Sequence, residues 1–372
     1  MFQTYIVYGG CCLLLMLLSR VSSKVFLINR YTSTHTFDIC MLCGILIFTL
    51  VFGLRYDVGV DYLNYLDIYQ YLDVDRFELL FKYLVIFLAE NNFHFSVLFS
   101  ILAFLQIFFF IYAFKCEKFL YPSLVYVLFC GQYFLLWMNV IRQDLATCIL
   151  IFSINFIVSK KFVAYLCCCI LAFGFHKSAI LFLLFYPFLK NGADYFRKRY
   201  LSFLYMGVAF VVFFSQINLL SIFDSEIVNL VALLDLDEYK FMDFEANFSA
   251  RDLGFSFLSS LLIDILLVSY STPMKQYYNS KKFIICYNLY MFGAIANLAV
   301  LNSFLLARPF RHFSFFKLIV AAYLLYYLYM HGDKRMNVFF FILLICLYFL
   351  LFLAIPFYSP DSKMIYNTIY NL

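Results

Sequence analysis

Apolar runs closed by short polar stretches recur from one end of the chain to the other. Many are about 17–25 residues long, the length a helix needs to cross roughly 30 Å of hydrocarbon. A membrane β-barrel would show strictly alternating segments of about ten residues, and these runs do not alternate. The pattern predicts an all-α polytopic membrane protein of about 12 transmembrane helices, at roughly 5–19, 37–54, 95–114, 119–137, 141–158, 162–175, 177–189, 201–220, 254–271, 283–306, 310–330 and 337–356. Leu79–Ala89 is apolar but too short to span, and reads as a re-entrant or interfacial segment. With no internal repeat, low-complexity tract or linker, 1–372 reads as a single transmembrane domain with outer loops at about 55–94 and 221–253.

Charge orients these spans. Lys and Arg gather in short connections: Arg20/Lys24/Arg30, Lys115/Lys118, Lys160/Lys161, Lys190/Arg197/Lys198/Arg199, Lys275/Lys281/Lys282 and Lys334/Arg335. The excess of basic residues in cytoplasmic loops puts all of these inside. The acidic connections, Asp57 to Glu78 and Asp224 to Asp252, then face outward, as do both termini. The first run has no Lys or Arg before it and three after it, so it reads as a permanent span and not a cleaved leader. Phe162–Phe175 and Lys177–Leu189 each have fewer than fifteen residues, about 21 Å of helix. A hairpin that short recesses His176, at its tip, and polar backbone at such depth calls for a water-filled cavity open to the outside.

Composition agrees: 65% of residues are hydrophobic and 13% charged, against about 45–50% and about 25% in a soluble domain. The twelve Cys fall in apolar runs or, for Cys116, in an inner loop, so no disulfide framework is implied. Cys40 and Cys43 have metal-like spacing but lie inside a span with no second pair, so no metal site is expected. No Walker A string, dinucleotide turn, H-E-x-x-H or G-x-S-x-G is present, which leaves ATP-driven transport, zinc proteolysis and serine hydrolysis unsupported. No cofactor and no nucleic-acid partner is expected.

Four polar groups interrupt the apolar ground. The string Arg55-Tyr56-Asp57-Val58-Gly59-Val60-Asp61-Tyr62-Leu63-Asn64-Tyr65 follows directly on a span. Asn139, Arg142 and Gln143 open the fifth span, His176, Lys177 and Ser178 the seventh, and Arg308, Arg311 and His312 the eleventh, with Pro309 in its first turn. Each of these three helices would present its amino terminus outward, where free N–H groups favour an anion. With Arg142, Lys177 and Arg308 added, a diphosphate at headgroup level is the natural ligand. Each residue also has a structural reading. Arginines at span ends snorkel, a histidine can be buried and satisfied, and Asp57-Val58-Gly59 is turn chemistry. Asp264 and Lys317 lie within spans and are expected to pair with each other.

The string R-x-x-x-G-x-D-Y-x-x-Y at Arg55–Tyr65, then Asn139-Val140-Ile141-Arg142-Gln143 with Ala146, then Phe175-His176-Lys177-Ser178-Ala179, resemble in order and spacing the EpsG-like, Wzy-type polysaccharide polymerases. Arg308 and Arg311 before a late span are similar to that family's carboxy-terminal basic signature. The resemblance implies a GT-C-like multi-span fold in the cell membrane. It implies metal-free glycosyl transfer, with the active site facing the periplasm or exterior. The donor and acceptor would be oligosaccharide repeat units on polyprenyl (undecaprenyl) diphosphate, and the product an O-antigen, capsule or exopolysaccharide. Its partners are these lipid-linked oligosaccharides, the bilayer and a chain-length regulator.

In such a reaction cations take the leaving charge and a base takes the acceptor's proton. Arg142, Arg308 and Arg55 fit the first role. His176 is the favoured base, with Asp61 holding the acceptor; the alternative makes Asp61 the base and lets His176 donate to phosphate. Asp57, Gly59, Tyr62, Tyr65, Asn139, Gln143, Lys177, Ser178 and Arg311 complete the substrate-binding set. An O-antigen-type ligase would use the same chemistry on another acceptor. A lipid-linked oligosaccharide flippase would instead carry polar residues through the whole bundle depth, and here they concentrate at the outer ends. An acyltransferase working from His176 would leave the arginines without a purpose.

Overall fold

The computed structural model describes residues 2–28, 39–215, 254–300, 304–357 and 363–369, without the side chains of 24–28, 304–307 and 356. The acidic insertion expected outside at 221–252 lies outside the described residues. Among the described residues every regular element is helical, apart from one isolated bridge between Arg55 and Thr368.

The helices are α1 (Phe2–Ile28), α2 (Ile39–Gly53), α3 (Tyr62–Tyr71), α4 (Leu79–Glu90), α5 (Phe95–Ala113), α6 (Tyr121–Cys130), α7 (Tyr133–Asn139), α8 (Ile141–Val158) and α9 (Phe162–Phe173). A 3-10 segment, Lys177–Phe185, leads into α10 (Tyr186–Leu189). Then come α11 (Arg199–Phe214), α12 (Phe255–Ser269), α13 (Ser271–Tyr278), α14 (Lys281–Ala299), α15 (Phe304–Met330) and α16 (Arg335–Leu353). Among the described residues six helices are long and apolar enough to cross a membrane, or eight if each of two bent pairs forms one span. The other expected spans fall on shorter apolar helices, Ile39–Gly53, Phe162–Phe173, Lys177–Leu189 and Arg199–Phe214.

Four expectations need correction. The span at 119–137 is bent by 63°: Gly131 caps α6 and Gln132 takes a left-handed conformation, φ 64°. The span at 254–271 bends by 54° between α12 and α13. Residues 177–185 form a 3-10 helix, whose rise of about 2.0 Å per residue reaches further than an α-helix of equal length. Finally, α15 starts at Phe304 and so holds Pro309 in its interior. Leu305, Leu306 and Ala307 are strong helix formers, and they extend the helix upstream of the proline. Arg308 and Arg311 therefore sit inside α15, and His312 is fully buried.

The chain divides into two compact units, 1–193 with 321–372, and 194–320. In the first, α1 packs on α2 and α6, α2 on α5, α5 on α8, and α8 on α9. At Gly53 the α2 and α5 backbones come so close that a β-carbon would lie 2.7 Å from Ser100 Cα, the tight approach that small residues permit between membrane helices. An aromatic core fills this unit. Trp137 meets Phe48 and Phe110 edge-on, at 5.7 and 5.5 Å between ring centres, and Tyr8 meets Phe134 at 4.8 Å. In the second unit α11 packs on α14 and α12. Asp264 and Lys317 pair there at 2.7 Å, as expected. Tyr290 donates to Asp264 at 2.9 Å and Lys317 to Ser260 at 2.7 Å, so these half-buried charges are satisfied within the unit.

Candidate functional site

Four separated segments of the first unit meet around one ion pair, Glu78 with Arg142. Glu78 precedes α4, and Arg142 lies in the first turn of α8. The Arg142 guanidinium forms an ion pair with Glu78 Oε2, and the backbone N–H of Lys177 donates to Glu78 Oε1 at 3.1 Å. From α3, the Tyr65 hydroxyl accepts from Arg142 Nε at 3.4 Å. Phe77 and Phe81 lie under the guanidinium at 4.3 and 5.4 Å. The start of α4 is tied to the α9 hairpin by Leu80 N–H donating to Gly174 O at 2.9 Å. Arg142 and Glu78 side chains are 15% and 9% exposed, dry enough for the pair to be held in place. Burial pushes the Tyr65 phenol above its usual range, partly offset by Arg142, so it remains a neutral hydroxyl near neutral pH.

His176 caps the 3-10 segment. The Ser178 N–H donates to His176 Nδ1 at 3.3 Å, and Ser178 Oγ lies 2.7 Å from the same nitrogen. A backbone N–H can only donate, so Nδ1 must be unprotonated and the ring proton sits on Nε2. His94 and Ser96 repeat this cap at the start of α5, at 3.4 and 2.8 Å. H-x-S is therefore a capping device in this chain, and what distinguishes His176 is its neighbour Lys177, bonded to Glu78. The Lys177 side chain is exposed, and Asp61 is half-buried at the amino end of α3.

The 55–65 string is largely self-supporting. Arg55 is 3% exposed and its guanidinium donates to the carbonyls of Val58 and Met138, each at 3.3 Å, and of Phe52. Burial lowers its pKa to about 10, with Tyr62 opposing, so it stays charged at neutral pH. Gly59 has φ 101°, where a β-carbon would lie 2.8 Å from Asn139 Oδ1 and 3.0 Å from Met138 O. That same Oδ1 accepts from Val60 N–H at 2.7 Å. Tyr62 is fully buried, stacks on Phe99 at 4.5 Å and donates to Arg55 O at 2.9 Å. The glycine, the arginine and the asparagine are thus one mechanical unit, and the distance between the two motifs is bridged by Met138.

The carboxy-terminal segment straps this loop. Lys363 pairs with Asp57 at 2.6 Å, Gly59 N–H donates to Lys363 O at 2.8 Å, and Tyr56 N–H to Asn367 O at 3.0 Å. Tyr366 N–H donates to Thr4 Oγ1 at 3.2 Å, joining the strap to α1.

Of the expected site residues, Arg142, Tyr65, Lys177, His176 and Ser178 come together. Arg55, Gly59, Tyr62 and Asn139 are not brought to that junction; they bond or pack within the loop and against Met138, where backbone carbonyls and N–H groups need partners in an apolar setting. Asp57 follows the turn reading, at φ 49° against Lys363. Gln143 is 2% exposed, inside α8. Arg308 and Arg311 are half-buried in the second unit. Glu78 escaped the sequence reading as one of six acids in its loop; its signal is that it alone directly precedes an apolar helix. Asp144, fully buried in the first turn of α8, was also passed over.

No curated protein and no solved structure matches the chain. A family model described as the EpsG family matches residues 38–368, nearly the whole length. That range takes in the 55–65 string, the Glu78–Arg142–Lys177 junction and the strap, so the parts that hold one another in space are also matched together. The chain is a member of the EpsG family.

Proposed function

We propose that this protein polymerises oligosaccharide repeat units carried on polyprenyl diphosphate, at the outer face of the cell membrane. The observation that carries the reading is the convergence of Arg142, Tyr65, Glu78, His176 and the Lys177 N–H from four distant segments. Family membership supports it. In the reaction an acceptor sugar hydroxyl attacks the anomeric carbon of the carrier-linked glycan. The new glycosidic bond forms as the carbon–oxygen bond to diphosphate breaks, and the diphosphate leaves with the electron pair.

Arg142 and Lys177 stabilise that leaving charge, and a guanidinium fork matches phosphate oxygens in pairs. Arg308 and Arg311 are assigned to the carrier on the strength of the basic signature alone. The Nδ1 cap favours His176 as a donor through Nε2–H, and this argues for Asp61 as the base that takes the hydroxyl proton. The preference between those two residues is thereby the reverse of the one drawn from sequence.

All twelve apolar segments are taken as crossings in a GT-C-like architecture, with both termini outside. Bonds joining the strap to Thr4 and to Leu54 support that parity, since they tie the amino end of α1, the carboxy end of α2 and the chain after α16 to one end of the unit. Gene deletion tests the function. Cells that still display single repeat units but no polymer fit a polymerase; cells that display nothing would point to a transporter and overturn the reading.

A further inference from the structure

The two kinds of donor suited to a carrier diphosphate, the Arg142 guanidinium and the Lys177 N–H, are both engaged by one side chain. Glu78 Oε2 meets the first, and Oε1 accepts from the second at 3.1 Å. A carboxylate bridging two donors in this way has the shape and charge of the phosphate edge that the same donors would grip. Its position is fixed independently: Lys82 N–H donates to Glu78 O at 2.9 Å, and the first turn of α4 holds Gly174 O through Leu80 N–H at 2.9 Å.

We infer that Glu78 is an internal stand-in for the carrier diphosphate, holding Arg142 and the Lys177 turn in place until the substrate displaces it. The inference rests on the carrier diphosphate binding at Arg142. Glu78 is then a positioning residue with two opposed effects. It preorganises Arg142 and the turn carrying His176, which favours turnover. It also competes with the incoming anion, which weakens binding. A carboxylate that served packing alone would not show this opposition.

The experiment measures binding and turnover separately, on full-length protein in nanodiscs. The probes are sugar-free polyprenyl diphosphate and inorganic pyrophosphate. Glu78→Gln keeps size and an acceptor for the Lys177 N–H but removes the competing charge. The expected result is carrier binding tighter by about tenfold, with polymer formation slower by about tenfold or more. Asp75→Asn, at a 95% exposed carboxylate paired with Lys82 in the same loop, should change neither. If Glu78→Gln fails to accumulate, Glu78→Asp replaces it: its shorter arm cannot span both donors, and binding should again tighten. Binding that is unchanged or weaker in a folded variant overturns the stand-in role while leaving the polymerase reading intact. Tightening for the polyprenyl form alone assigns the site to the lipid carrier; tightening for both assigns it to the diphosphate group itself. If neither probe binds wild type or variant, the carrier site at Arg142 is wrong, and the stand-in falls with it.

Discussion

Replacing Gly59 by alanine should open the 55–62 loop where it packs on the end of α7, leaving α5 and α8 intact. At φ 101° the new β-carbon would lie 2.8 Å from Asn139 Oδ1 and 3.0 Å from Met138 O. Neither neighbour can retreat freely. Met138 O also accepts from Arg55, while Gln106 Nε2 holds Trp137 O at 3.2 Å and Ile141 O at 3.1 Å on either side. A side chain in that backbone region costs about 1–3 kcal/mol. Moving Asn139 away forfeits the Val60 hydrogen bond, about 1 kcal/mol more. The sum, about 2–4 kcal/mol, raises the open population of the loop by about 30- to 700-fold at 1.4 kcal/mol per decade. Amide exchange on protein in nanodiscs reads this directly: protection should fall at residues 56–62 and hold in α5 and α8, and polymer output should fall with it. Gly10→Ala, in α1 with nothing within 4 Å of the added carbon, should be neutral or gain about 0.5–1 kcal/mol. Wild-type protection in Gly59→Ala would refute the account of how the two motifs support each other.

Arg142→Lys should lose about 10²–10³ in polymerisation rate at normal protein level, because an ammonium cannot reproduce the fork; Arg197→Lys, exposed and far along the chain, should be silent, and near-normal polymer from the first would remove the bidentate role. His176→Gln, which keeps a donor, should retain substantial activity while Asp61→Asn is inactive; a dead His176→Gln that still binds carrier would return the base to His176. Truncation after Phe357 removes the strap's bonds to the loop, each worth about 0.5–1.5 kcal/mol, so activity should fall by about tenfold or more with span topology unchanged; full activity would make the strap dispensable. In a cysteine-free background, a Cys at position 195 should resist impermeant reagents in intact cells, and labelling there would overturn the orientation.

Helix positions were legible in the sequence because a hydrocarbon solvent makes apolar run length a direct statement about structure. The Asp264–Lys317 pair was legible for the same reason, since charges at that depth need each other. The bends at Gly131 and Tyr270 were not, because apolarity is blind to direction. Motif spacing named Arg55, Gly59 and Asn139 but not where they point. Folding turns Arg55 and Asn139 onto the loop backbone at Val58 and Val60, and Arg55 also onto Met138. Glu78 was hidden because its partners lie 64 and 99 positions away, and Lys363 because Asp57 is 306 residues distant. Long-range polar pairing leaves no local trace. Capping does, and His176-Lys177-Ser178 beside His94-Phe95-Ser96 is a pattern the sequence already held.

The central claim is that this chain itself joins repeat units carried on polyprenyl diphosphate. Purified full-length protein in liposomes, given only polyprenyl-diphosphate-linked repeat units, tests it most directly. The account predicts a ladder of products lengthening by one repeat unit, with one carrier diphosphate released per linkage and both lost in Arg142→Lys. Carrier release without linkage, or movement of intact lipid-linked units across the bilayer with no lengthening, would contradict it.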